Sequence, residues 1–184
     1  DIRPGSTGKP VKGYDIRLTG DDGLPVAQGE MGALEISGPT SGIMYWNRRE
    51  KSIETFHGPW TRAGDKYRQD EDGYYIYCGR TDDMLKVGGI YVSPFEVEAA
   101  LIEHEAVLEV AVVGQADADG LIKPKAIIVP KNFDMDLDSL ADELKVFVKE
   151  RLASFKYPRW IEFVDELPKT ATGKIQRFKL RKTG

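Results

Sequence analysis

Apolar and polar residues alternate along Tyr14-Asp15-Ile16-Arg17-Leu18 and again along Leu34-Glu35-Ile36-Ser37, with the turn residues Asp21-Asp22-Gly23 between them. A period of two puts every second side chain on one face of an extended strand, so these runs are expected to form a small antiparallel unit. Tyr74-Tyr75-Ile76-Tyr77 reads as a further aromatic strand that ends at Gly79-Arg80. Beyond it the period changes. Ser93-Pro94-Phe95-Glu96 is a capping box with proline at the first helical position, and Val97, Ala100 and Leu101 follow at helical spacing, which predicts a helix over 94–104. Glu109 to Gly114 and Lys125 to Val129 fit buried strands, Leu140, Leu144, Phe147 and Val148 share one face of a second helix, and Trp160 to Val164 is another strand. The order helix, strand, strand, helix, strand predicts a compact α+β unit over 79–184, preceded by a β-rich segment over 1–78. The chain opens abruptly on a polar stretch without an initiator methionine, so it is expected to be a piece of a longer protein.

Composition narrows the function classes. A hydrophobic content of 41% in 184 residues suffices for one core or two small ones. No stretch approaches the roughly 20 apolar residues that cross a bilayer, and the start has no apolar leader, so a cytoplasmic protein without a membrane partner is expected. One cysteine, Cys78, excludes an internal disulfide framework, and His57 and His104 stand in no metal-ligand spacing, so no metal-binding residue is expected. The net charge of -4 argues against a nucleic-acid partner, although Lys169 to Gly184 holds six basic residues and no acidic one.

Three segments carry candidate chemistry. Pro168-Lys169-Thr170-Ala171-Thr172-Gly173-Lys174 combines a rigid entry, small hydroxyl residues and a glycine directly before a lysine, and can place one ammonium at the end of a mobile backbone. A Walker A loop would need glycine at position 168 and Ser or Thr at position 175; Pro168 and Ile175 exclude it. The same loop also fits a solvated basic tail. Gly79 to Gly89 is dense in charge and glycine for a connection: Gly88-Gly89 can take positive φ or admit a ligand, and Arg80 can pair with a phosphate or carboxylate. A surface turn with one Arg–Asp salt bridge fits equally. In Trp60-Thr61-Arg62-Ala63-Gly64-Asp65 the acid follows a glycine at an expected strand end, which suits a carboxylate accepting two ribose hydroxyls, though Gly-Asp pairs are commonly plain turns.

Taken in order, these segments resemble the adenylate-forming superfamily of acyl-CoA synthetases, luciferases and peptide-synthetase adenylation domains. Thr61 to Asp65 resembles its Thr-Gly-Asp motif, Gly79 to Glu98 its hinge and following helix, Pro168 to Lys174 its terminal lysine motif, and Gly32 to Pro39 the strand before the Thr-Gly-Asp segment. Met84 to Pro94 with Ala106-Val107-Leu108-Glu109 is most similar to benzoate-CoA ligases and related arylate ligases, whereas medium-chain acyl-CoA synthetases commonly carry arginine where this chain has Tyr91.

The resemblance implies a mobile C-terminal α+β lid domain over 79–184 with its hinge near residue 82, after the β-rich end of a larger N-terminal domain. It implies an AMP-forming ligase that activates a carboxylic acid, benzoate or another arylate, with ATP and Mg2+, and then transfers the acyl group to CoA. By motif position Asp65 would hold the ribose hydroxyls, Arg80 would lie near ribose and phosphate, and Lys174 would bridge the carboxylate and the α-phosphate. Asp82 would be the hinge, Gly88, Gly89 and Ile90 would line the CoA pantetheine, and the basic tail would attract polyanions. The phosphate loop, the acid pocket and most magnesium contacts are expected upstream, so the chain alone is expected to be inactive and to need the rest of its N-terminal domain. Two alternatives stand beside this: an adenylation domain that loads a carrier protein, and a non-catalytic α+β binding module.

Overall fold

A computed structural model describes residues 2–181. Its contacts divide the chain into two units, one ending at Asp82 and one beginning at Asp83.

In the first unit β1 (Asp15–Thr19) pairs antiparallel with β2 (Met31–Ser37), Ile16 facing Ile36 and Leu18 facing Leu34. A short helix α1 (Arg49–Thr55) and β3 (Phe56–His57) lead into β4 (Trp60–Gln69), followed by β5 (Tyr75–Arg80). β2 lies along one edge of β4, while β3 and β5 share the other. Leu18, Leu34 and Tyr75 form a small core with Ile16, Val26, Ile36 and Tyr67. Alternation sends Arg17, Glu35 and Arg62 to the opposite face, where they line up across three strands. Arg17 and Arg62 reach Glu35 at 2.7 and 3.0 Å, and Arg17 also lies over the Trp60 ring at 4.2 Å. Glu35 is thus a carboxylate with only 1% of its surface exposed. Its burial pushes the carboxyl up, but the hydrogen bonds and charges of Arg17 and Arg62 outweigh that, and the net value falls below the usual carboxylate range.

The boundary expected at Gly79 lies inside β5, whose pairing through Gly79 and Arg80 carries the first unit on to Asp82. Thr81–Asp83 is a single 3-10 turn.

The second unit starts with a hairpin of β6 (Leu85–Val87) and β7 (Ile90–Val92) where the sequence suggests a plain connection. Strands of three residues are too short to show alternation. α2 (Pro94–Ile102) follows, its first turn capped by Ser93, whose Oγ accepts from the Glu96 N–H. It stops two residues before the expected end because the chain turns at His104 toward β8 (Val107–Ala116). β8 pairs antiparallel with β9 (Ile122–Pro130), and α3 (Leu137–Arg151) crosses to β10 (Trp160–Phe163), parallel to β9. α3 is capped by Asp136, which accepts from two backbone N–H groups. The runs in β8 and β9 are continuously apolar because both faces of this sheet are covered. Val110, Val112, Ala126 and Ile128 pack with Val97, Leu101, Leu140, Leu144 and Val148, while Ala111, Val113, Ile127 and Val129 pack with Leu167. The last helix, α4 (Arg177–Leu180), sends Leu180 to this second face, and Ile175 joins it.

The Glu35 clamp makes a prediction. Because its carboxyl is lowered by folding, its contribution is complete above the ordinary value near pH 4.3 and is lost as pH falls through the lower folded value. Glu35→Gln is expected to cost about 2 kcal/mol at neutral pH. Urea denaturation of wild type and variant should show that gap closing as the solution is acidified; a gap independent of pH would contradict the clamp.

Candidate active site

Two irregularities in the first sheet present Asp65 and Arg80. Between the pairs Ala33↔Lys66 and Glu35↔Arg62, three residues of β4 (Ala63, Gly64, Asp65) oppose the single residue Leu34 of β2, and Gly64 takes a φ of +78°. On the other edge Lys66 pairs Gly79 and Tyr67 pairs Tyr77, which leaves Cys78 as an extra residue beside Gly79 at φ +125°. Bulges bend a strand and re-aim the side chains next to them. Here they leave Asp65 directly opposite Arg80 across the β4–β5 pair, a juxtaposition that sequence order alone does not reveal.

Asp65 is half-buried, and among the described residues no donor reaches its carboxylate. All its lone pairs are available to a ligand. The Arg80 guanidinium lies 3.8 Å from where a Cβ on Gly64 would stand. It meets Asp82 at 3.7 Å, with half of Arg80 and most of Asp82 exposed. An ion pair that long and that wet contributes at most about 1 kcal/mol, so an anionic ligand can displace it. The Arg–Asp surface pair and the ligand-binding reading of Arg80 are therefore compatible.

In the second unit Gly88 and Gly89 form the two-residue turn of the β6–β7 hairpin, at φ +58° and +86°. Positive φ at both central positions is the type I′ geometry that matches strand twist and that glycine adopts without strain. A Cβ at either would meet nothing within 4 Å, so backbone conformation, not crowding, requires glycine within this unit. The tip stands open, with Ile90 half-exposed beside it and Lys86 over the Tyr91 ring at 5.5 Å.

Lys174 sits on a closed loop where a mobile backbone is expected. Lys169 and Ile175 form a β-bridge, the Thr170 N–H donates to the Lys174 carbonyl at 2.8 Å, and Gly173 at φ +82° turns the chain. The Thr170 hydroxyl accepts the Lys174 N–H at 3.1 Å, and the Gln176 N–H donates to the Pro168 carbonyl at 2.8 Å. Ile175 anchors the loop in the apolar cluster under β8 and β9. The Lys174 side chain is exposed, and among the described residues no carboxylate pairs with it.

Its neighbours differ. Lys169 reaches Glu109 at 2.6 Å, Arg181 pairs with Asp83, and Arg177 grips Glu98 through its Nη2 at 2.7 and 2.9 Å while lying over the Phe95 ring at 4.4 Å. Three of the tail's six cations thus meet carboxylates within the second unit; Lys182 lies outside the described residues. Glu98 and Arg177 are both about nine-tenths buried, and Glu98 also accepts the Val112 N–H at 2.7 Å. Burial pushes the Glu98 carboxyl up, Arg177 and Val112 oppose this, and Asp83 adds to the rise. Sequence reasoning missed Glu98, Glu109 and Arg177; the one signal was a cation-rich tail without acids of its own. Among the described residues no group of three His, Cys, Asp or Glu side chains is placed to hold a metal ion, and no helix is long and apolar enough to cross a membrane.

The model of the AMP-binding enzyme C-terminal domain matches residues 96–174. The benzoate–CoA ligase of Thauera aromatica is 62% identical over 98% of the chain and 34% of that enzyme. A solved benzoate CoA ligase from Burkholderia xenovorans LB400 superposes with a TM-score of 0.87 at 57% identity, covering 98% of this chain and 36% of that one. An anthranilate CoA ligase solved with anthranoyl-AMP gives 0.89 at 55% identity over 98% of this chain and 35% of its own. The chain spans about a third of the length of these relatives.

The buried pair is open to test. Arg177→Met leaves the Glu98 carboxylate buried without its counter-ion and is expected to cost about 3–5 kcal/mol. Adding Glu98→Gln, which keeps an acceptor for Val112, should recover more than half of that. Since folding raises the Glu98 carboxyl, its contribution is complete below about pH 4.3 and is lost as pH rises through the folded value, and Arg177→Met should steepen that loss. Denaturant titrations at pH 5 and pH 8 measure it; equal losses for single and double variants would contradict the pairing.

Proposed function

We propose that the chain, whose residues 96–174 match the model of the AMP-binding enzyme C-terminal domain, is the C-terminal portion of an ATP-dependent carboxylate–CoA ligase acting on benzoate or another arylate. The observation that carries this is the unpaired Lys174 ammonium on a closed loop, in a chain that matches benzoate– and anthranilate–CoA ligases over nearly all of its length.

In the first half-reaction a carboxylate oxygen attacks the α-phosphorus of ATP and the bond to pyrophosphate breaks. In the second, the CoA sulfur attacks the acyl carbon and AMP leaves. Asp65 accepts the ribose hydroxyls and Arg80, released from Asp82, approaches the ribose and phosphate. Lys174 meets the carboxylate and α-phosphate where negative charge builds up, and its loop makes the charge ready before the reaction begins. Asp82, exposed at the end of the first unit, is the hinge. Rotation there withdraws Lys174 and brings Gly88, Gly89 and Ile90 beside the pantetheine of CoA. Magnesium would be held by the nucleotide and by the rest of the enzyme's N-terminal domain, which would also supply the acid pocket in this cytoplasmic enzyme. A nucleic-acid-binding module is disfavoured, because Lys169, Arg177 and Arg181 already engage carboxylates.

Lys174→Ala in the full-length enzyme is expected to lower benzoate-dependent pyrophosphate–ATP exchange at least about 100-fold, the loss of about 3 kcal/mol of charge stabilisation. Unchanged exchange would sink the assignment. Asp82→Pro, which fixes φ at the hinge, should leave exchange intact and abolish thioester formation; normal CoA turnover would refute the hinge.

A further inference from the structure

The Lys174 loop is pinned at both ends to the same place. At its entry Lys169 bonds Glu109 on β8 at 2.6 Å. At its exit Arg177 bonds Glu98 on α2 with both carboxylate oxygens engaged, and Glu98 in turn holds the Val112 N–H of β8. Phe95, Glu98, Glu109, Lys169, Gly173 and Ile175 line one groove. Glu109 and Glu98 are thus engaged by the cations that flank the loop, and among the described residues no carboxylate pairs with Lys174 between them.

We propose that Glu98, acting through Arg177, and Glu109, acting through Lys169, are positioning residues for Lys174 in acyl-adenylate formation. This rests on the ligase reading above. A lysine side chain has four rotatable bonds and reaches a transferring phosphate reproducibly only if its backbone is fixed, and here the hydrogen bonds inside the loop fix its shape while the two ion pairs fix its place on the sheet. Neither acid nor its partner cation is required to touch substrate. Arg177 is suited to this as lysine is not, because its planar fork takes both oxygens of Glu98 while its face rests on Phe95.

The test uses the full-length enzyme and separates the half-reactions. Adenylation is followed by pyrophosphate–ATP exchange with benzoate, and acyl transfer by thioester formation from supplied benzoyl adenylate and CoA. Glu98→Gln and Arg177→Lys are expected to lower kcat for exchange about 10- to 100-fold, with KM for ATP and benzoate and the acyl-transfer rate all within about 2-fold of wild type. Lys169→Met, at a half-exposed pair that folding can spare, should show the same split at about 3- to 10-fold. Equal losses in both half-reactions would show a merely structural role and overturn the proposal. So would a folded set of variants with normal exchange, or Arg177→Lys behaving as wild type. Lys174→Ala in the same assays keeps the two claims apart: if it leaves exchange unchanged the ligase reading itself fails, whereas a loss there with normal Glu98 and Lys169 variants rejects only the positioning role.

Discussion

The buried ion pair between Glu98 and Arg177 is the constraint on which the second unit depends. One carboxylate ties together the helix α2, the strand β8 through Val112, and the chain that leaves the Lys174 loop. An ion pair in so dry a place adds little net stability against an apolar substitute, because desolvating both charges offsets most of their attraction. What it supplies is definition. Without Glu98, Arg177 would lose its ionic anchor to α2, leaving the chain after Ile175 to the Gln176–Pro168 hydrogen bond, the Arg181–Asp83 pair and the apolar contacts of Ile175 and Leu180. With it, both flanks of the loop are tied to acids of the second unit, Lys169 to Glu109 and Arg177 to Glu98.

The first unit solves a similar problem with backbone irregularity. A regular β4 would pair Asp65 on both edges and direct it by strict alternation. The bulge at Ala63-Gly64-Asp65 and the extra Cys78 on β5 interrupt that, and Asp65 and Arg80 face one another at the end of the pair. The regular part of the same sheet is secured by the Arg17–Glu35–Arg62 row, so the irregular end is carried by a rigid one. Glycines at positive φ, Gly64 and Gly79, are the residues that let the strands break register.

Much of the fold was legible. The alternating strands β1 and β2, the capped helix α2 and the apolar runs of β8 and β9 each carry a local signal, a period or a cap, that tertiary context reinforces. α1, α4 and the β6–β7 hairpin were not legible, since helices of four and seven residues complete at most two turns and strands of three residues one alternation. Phe147, expected on the apolar face of α3 with Leu140, Leu144 and Val148, is half-buried and packs edge-on against His104 at 4.9 Å. Gly79 resembles the end of a strand in the sequence, whereas its positive φ belongs to a bulge inside β5.

By itself the sequence determined which chemical groups exist and in what order: Asp65, then Arg80 and Asp82, then Gly88-Gly89, then Lys174. That order is covalent, and the residue types around each group limit its local backbone. Which of the cations stays unpaired was decided only by tertiary structure. Lys169 meets Glu109 across 60 positions, Arg177 meets Glu98 across 79, and Arg181 meets Asp83 across 98. Coulombic neutralisation acts through a few ångströms of space, and no period or motif along the chain encodes which side chains the fold will bring that close.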